Sequence, residues 1–181
     1  FGTRNVNGLH VFIDNSNVFI EGQRVARETF KYDDQLVLRF RVSYGGLLDF
    51  IAQARPLREA VLVGSRPPPN DALWNRLRTL GIEPRIFDRS IYTGREKRVD
   101  AEMTNAIRDC LEDNPDPGVI ALVAGDTDYV PTLERCLKKK WALELYFWAQ
   151  ASSELKRLPG VKFVDLANGF EQIAYVQKEL T

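Results

Sequence analysis

The feature that most constrains this chain is a regular alternation of short apolar runs with longer amphipathic stretches. Six runs have the length and the β-branched content of strands: LHVFI (9–13), EAVLVG (59–64), IEPRIF (82–87), VIALVAG (119–125), LELYFWA (143–149) and VKFVDL (161–166). Most are apolar throughout rather than alternating, which suits strands covered on both faces, as in a parallel sheet. Between them lie helical patterns. Ser43 is placed to cap a helix carrying Leu47, Leu48, Phe50, Ile51 and Ala54 on one stripe, and Asn70 or Asp71 to cap one that ends at Gly81. Asp100 is read as opening a third, which ends at the turn DNPDPG (113–118); a fourth follows Asp128 and runs to about Lys140, and a last covers roughly 167–179. Strands alternating with helices predict an α/β fold with a mainly parallel sheet and helices on both faces. The polar segment 21–35 reads as a helix followed by a loop or as an insertion over a site, and RPPP (66–69) as a stiff loop.

A chain of 181 residues with 44% hydrophobic content is expected to form one domain, residues 1–181, with a real core. It does not begin with Met and shows no signal-peptide pattern, so we expect a fragment of a larger protein. No apolar run is long enough to span a bilayer, so no membrane partner is expected. Cys110 and Cys136 lie in helical patterns without a CxxC or a neighbouring His cluster. They read as buried free thiols in a reducing, intracellular and cytoplasmic setting. The formal net charge is zero, but it is segregated: 85–98 holds five basic residues against two acidic, and 133–140 four against one. A polyanion would therefore bind locally.

Two of the strongest strands end in acids. LHVFI leads into Asp14, and VIALVAG into Asp126 and Asp128; Asp100 lies at the KRVDAE segment. In open α/β sheets ligands gather at the carboxyl ends of the strands, so the four carboxylates can converge on one edge. Crowded carboxylates repel, whereas Mg²⁺ and Mn²⁺ use hard oxygen ligands of this kind. Helix caps account for any one of these aspartates, and for Asp128 in particular beside Pro131. They account less well for two acids two residues apart after a glycine at a strand end.

VFIDNSN (11–17), KRVDAEM (97–103) and AGDTDYVP (124–131), in this order, resemble the NYN domain of the PIN-like nuclease group, and SSELKRLPGVKFVDL (152–166) resembles its closing segment. The resemblance implies a Rossmann-like three-layer α/β/α sandwich, a Mg²⁺ or Mn²⁺ site, and endonucleolytic hydrolysis of RNA. It assigns Asp14, Asp100, Asp126 and Asp128 as metal ligands and catalytic residues, with Asn17 orienting the site and Lys97 the lysine of the K-x-V-D motif. Departures are visible. Thr104, Asn105 and Ala106 stand where relatives often carry another aspartate, Glu102 should point elsewhere on the helix, Ala124 replaces a hydroxyl residue, and Tyr129 replaces a frequent Phe.

The segment 85–98 hangs beside the expected site, so Arg89, Tyr92, Arg95, Lys97 and Arg98 are candidates for a phosphate track with a stacking base that grips single-stranded RNA. A solvated hairpin is the competing account. KKK (138–140) reads as a helix end favoured by the dipole, and Trp74, Trp141 and Trp148 as core residues. A phosphatase with a nucleophilic aspartate would need a second acid where Ser16 stands. The remaining alternative is a non-catalytic RNA-binding module within a larger RNA-regulatory protein, with further RNA-binding modules elsewhere in the full chain. The sequence is silent on oligomeric state.

Overall fold

The computed structural model describes residues 8–65, 72–87 and 95–178. Its strands are β1 (Leu9–Asp14), β2 (Phe40–Val42), β3 (Leu57–Ser65), β4 (Glu83–Phe87), β5 (Val119–Val123), β6 (Ala142–Phe147), β7 (Val161–Asp165) and β8 (Ala174–Val176). Its helices are α1 (Asn15–Glu28), α2 (Asp34–Leu38), α3 (Tyr44–Ala52), α4 (Ala72–Thr79), α5 (Arg95–Asp113), α6 (Val130–Lys138), α7 (Ser153–Arg157) and α8 (Phe170–Ile173).

All six strands expected from the sequence enter one sheet, in the order β4-β3-β1-β5-β6-β7, with every neighbouring pair parallel. β1 is central and every one of its residues is buried, which is why LHVFID lacks polar alternation before its last residue. Side chains still alternate between faces. Leu9, Val11 and Ile13 join a core with Val18, Val25, Leu47 and Ile51 from α1 and α3. Phe12 joins a second core with Val99, Met103 and Ile107 of α5, and Leu133 and Cys136 of α6. The result is the expected three-layer α/β/α sandwich.

Local signals act as anticipated at several ends. Ser43 caps α3 by accepting from the Gly46 amide at 3.1 Å. Gly81 takes φ +83°, a conformation open to glycine, just after α4. Trp141 and Trp148 are buried, and the Trp148 indole donates to the Val18 carbonyl at 3.0 Å. Lys138–Lys140 are exposed at the end of α6. The Asn70 or Asp71 cap, the RPPP loop and Trp74 lie outside the described residues and side chains.

Of the two readings of 21–35 the helix followed by a loop holds, since the segment is the second half of α1, a loop and the start of α2. Two other expectations need correction. Asp100 does not open its helix, because α5 begins at Arg95 and Asp100 lies in its second turn. Among the described residues no single helix fills the stretch from 167 to 178; a 3₁₀ turn at Leu166–Gly169 and the short α8 lead into β8, which pairs antiparallel with β2. Tertiary contacts override helical propensity there. The Ser43 amide takes the Ile173 carbonyl at 2.6 Å, and Phe170 stacks on Phe30 with ring centroids 3.8 Å apart. Both partners come from distant parts of the chain.

Candidate metal centre

The sheet order changes direction at β1. From β1 the chain builds outward to β3 and β4, then returns to β5 on the other flank. The carboxyl ends of β1 and β5 therefore border the crevice in which α/β sheets place ligands. β1 ends in Asp14, and β5 is followed by Ala124, Gly125 and Asp126. Gly125 is needed there: a Cβ at this position would lie 2.4 Å from the Phe147 ring. The close approach brings the loop over the end of β6, and the Ser152 amide closes on the Gly125 carbonyl at 2.9 Å.

Asp126 then caps a 3₁₀ turn, Thr127–Tyr129, by accepting from the Asp128 amide at 3.0 Å. Pro131 stands in the first turn of α6, which Asp128 precedes without capping it. α5 crosses the same face of the sheet and presents Asp100 from its second turn. One carboxylate oxygen from each of Asp100, Asp126 and Asp128 lies within 4.8 Å of the others. Asp128 is exposed, Asp100 and Asp126 are half-buried, and Asp14 is buried beneath them. Asp14 lies outside the trio and is tied to it through Tyr129.

Tyr129 is wholly buried, and its hydroxyl donates to Asp14 Oδ2 at 3.0 Å. It also lies in hydrogen-bonding relation to Asp100. A phenol has one proton, so it can donate to only one of the two at a time. Asn17 Nδ2 donates to the same Asp14 oxygen at 3.2 Å. Asp14 is the residue before α1; its side chain makes no close cap hydrogen bond, although the nearby Asn17 amide helps to hold its proton affinity down. For Asp126 capping is real but employs only one of its two oxygens.

The electrostatics reflect uncompensated negative charge. Burial pushes the Asp14 carboxyl up to about 6; Tyr129 and Asn17 oppose the shift and the Asp126 charge adds to it. Asp100 is also raised to about 6, first by burial, with Tyr129 opposing and Asp128, Asp126 and Asp14 all adding to it. Burial, followed by the Asp14 and Asp100 charges, drives the Tyr129 hydroxyl far above its ordinary value, so it remains a donor. Among the described side chains no basic group forms an ion pair with these acids.

Neighbouring residues are occupied otherwise. Glu102 points away, as expected, and accepts from Arg85 at 3.0 Å. Arg85 is thereby engaged, since it also reaches Glu83 at 3.3 Å. Thr104, one helical turn after Asp100, faces Thr132 with hydroxyls 3.3 Å apart. A neutral pair thus fills the position where a further acid would extend the cluster. At the rim, the Thr127 and Ser152 hydroxyls lie 2.7 Å apart. Arg95, Lys97 and Arg98 fall in the first turn of α5, with side chains outside the described part, and Arg89 and Tyr92 lie outside the described residues. Tyr129 is the site residue that sequence reasoning undervalued; its only signal was a hydroxyl where Phe is frequent.

The model of the NYN domain family matches residues 9–167. This chain belongs to the NYN domain family. The fold of this NYN domain is similar to that of a protein of unknown function from Vibrio parahaemolyticus, with a TM-score of 0.64 and 16% sequence identity, covering 92% of this chain and 95% of that one. At that identity the likeness concerns the fold alone. No curated protein matches the chain. The NYN family is PIN-like and nuclease-like, and the acidic cluster has the donor chemistry of a metal centre. Among the described residues no helix is long and apolar enough to cross a membrane.

Proposed function

We propose that this NYN domain is a metal-dependent endoribonuclease that hydrolyses phosphodiester bonds of single-stranded RNA. The observation that carries the reading is the convergence of Asp100, Asp126 and Asp128 within 4.8 Å, beside a buried Asp14. The donors are all carboxylate oxygens, which fits Mg²⁺ or Mn²⁺ rather than a thiophilic ion. Such a cation supplies charge neutralisation at the scissile phosphate and an activated water.

The protein's own residues divide the remaining work. Asp100, Asp126 and Asp128 hold the ion, with the Asp126 carboxylate oriented by the Asp128 amide. Asp14 anchors the floor of the site, and Tyr129 and Asn17 fix its carboxylate. His10, the single histidine, is at the opposite end of β1, so no imidazole serves as a base here. We assign the grip on RNA to Arg89, Tyr92, Arg95, Lys97 and Arg98, on the segment that leads into α5. Residues 1–181 would act as one unit. The two free, buried thiols suit a reducing intracellular compartment.

The test is cleavage of an end-labelled single-stranded RNA. Wild type should cut with Mg²⁺ or Mn²⁺ and not in EDTA, and Asp14→Asn and Asp126→Asn should lose at least about 100-fold in rate. RNA binding without metal-dependent cleavage would favour a non-catalytic RNA-binding module.

A further inference from the structure

His10 takes no part in the acidic cluster, yet it is set among polar partners of its own. It is the second residue of β1 and is 3% exposed. Its register partner across the parallel ladder is Glu59 on β3, and Nδ1 lies 2.8 Å from Glu59 Oε2. Alternation places His10 on the face of β1 that Phe12 shares, and Glu59 on the face of β3 that Val61 and Val63 share, which is the α5 face. Cys110, from the last turns of α5, is 2% exposed on that same face. One imidazole nitrogen, one Glu59 oxygen and Cys110 Sγ lie within 4.8 Å of one another. Nδ1 is the ring nitrogen that faces Glu59 and Cys110, and the ring is held in place edge-on to Trp141, with centroids 5.4 Å apart.

We propose that His10, Glu59 and Cys110 form a Zn²⁺ site, distinct from the acidic cluster, that ties β1, β3 and α5 together at the other end of the sheet. One nitrogen, one oxygen and one sulfur donor match a borderline-soft ion and are a poor set for Mg²⁺. Three protein ligands leave a fourth position for water. The Glu59 side chain is 36% exposed and gives the ion a route from solvent. Without an ion, burial and the Glu59 carboxylate hold the Cys110 thiol protonated, and the positive charge of Zn²⁺ reverses that preference. Binding exchanges the S–H bond for an S–Zn bond and releases one proton to solvent, with no change of oxidation state.

The two centres are separate in space. His10 and Asp14 are four residues apart on β1, about 13 Å along a strand. Cys110 and Asp100 are ten residues apart on α5, about 15 Å along a helix. An ion at one centre cannot take ligands from the other, and the reading does not depend on nuclease activity.

Co²⁺ titrated into the metal-stripped protein provides the test. Wild type should develop a thiolate-to-cobalt charge-transfer band that saturates at one ion per chain. Zn²⁺ should displace it, and excess Mg²⁺ should not. An all-carboxylate centre cannot produce this band, so Asp126→Asn should retain it. Cys110→Ala should abolish it, and Glu59→Gln, at a half-exposed position that tolerates change, should weaken Co²⁺ binding at least tenfold. Absence of the band in wild type overturns the proposal. So does its persistence in Cys110→Ala, or its loss in Cys136→Ala instead.

Discussion

The Tyr129 hydroxyl donates a 3.0 Å hydrogen bond to Asp14 Oδ2 and joins two buried residues 115 positions apart in sequence. This contact links the turn that carries Asp126 and Asp128 to the end of the central strand. It also holds down the proton affinity of a carboxylate that burial raises.

Tyr129→Phe should therefore act through Asp14 without emptying the core. A hydrogen bond to a charged group is worth about 1.5–3 kcal/mol, and chemical denaturation at pH 8 in EDTA should show a loss of that order. Asp14 should titrate at higher pH in the variant. With metal, the lower limb of the cleavage pH profile should move upward. An unshifted profile would mean that the hydroxyl does not control Asp14.

Asp14 makes a specific contribution to stability against pH. Its folded-state carboxyl titrates at about 6 against a reference of 3.8, so the folded protein holds its proton more tightly than the unfolded chain. Protonation therefore stabilises the fold, fully below about pH 4, and the benefit is lost as pH rises through 6. The stability of wild type relative to Asp14→Asn, in EDTA, should fall by up to about 3 kcal/mol between pH 4 and pH 7. A flat difference would place Asp14 in a solvated setting.

Charge crowding gives a thermal test. The Asp126 charge adds to the proton affinity of both Asp14 and Asp100, which is a repulsion that unfolding relieves. Asp126→Asn keeps a side chain able to cap the turn. It should melt about 2–4 °C above wild type in EDTA, the shift expected from about 1 kcal/mol in a chain of this size. Mn²⁺ should raise the melting temperature of wild type and do less for the variant. Equal responses would remove Asp126 from the metal centre.

The RNA track has a salt signature. Arg95 and Arg98 begin α5, the helix that carries Asp100. Arg95→Glu with Arg98→Glu should weaken RNA binding and flatten its salt dependence, by about 0.7 in slope for each phosphate of a single strand that is no longer neutralised. An unchanged slope would move the track elsewhere, with exposed Lys138–Lys140 the next surface to test.

Much of this molecule is determined along the chain. The six strands of the sheet were legible because each is a short, nearly continuous apolar run, and burial on both faces demands that composition. Asp14, Asp126 and Asp128 were legible because Asp14 ends one of those strands and the other two lie within five residues after another, so the sheet carries them to one edge. Other features depend on elements that meet only in three dimensions. β2 and β8 are three residues each, too short to show a period, and they exist because they pair with each other. Tyr129 reads locally as one more core aromatic, and its role comes from the two acids that reach it from β1 and α5. His10, Glu59 and Cys110 show no metal-ligand spacing along the sequence. The parallel register of β1 and β3 brings the first two together, and the path of α5 across their shared face adds the third. Residues near one another in sequence betray their relationship through period and spacing, whereas contacts between separate elements are decided by the packing of the whole sheet and its helices.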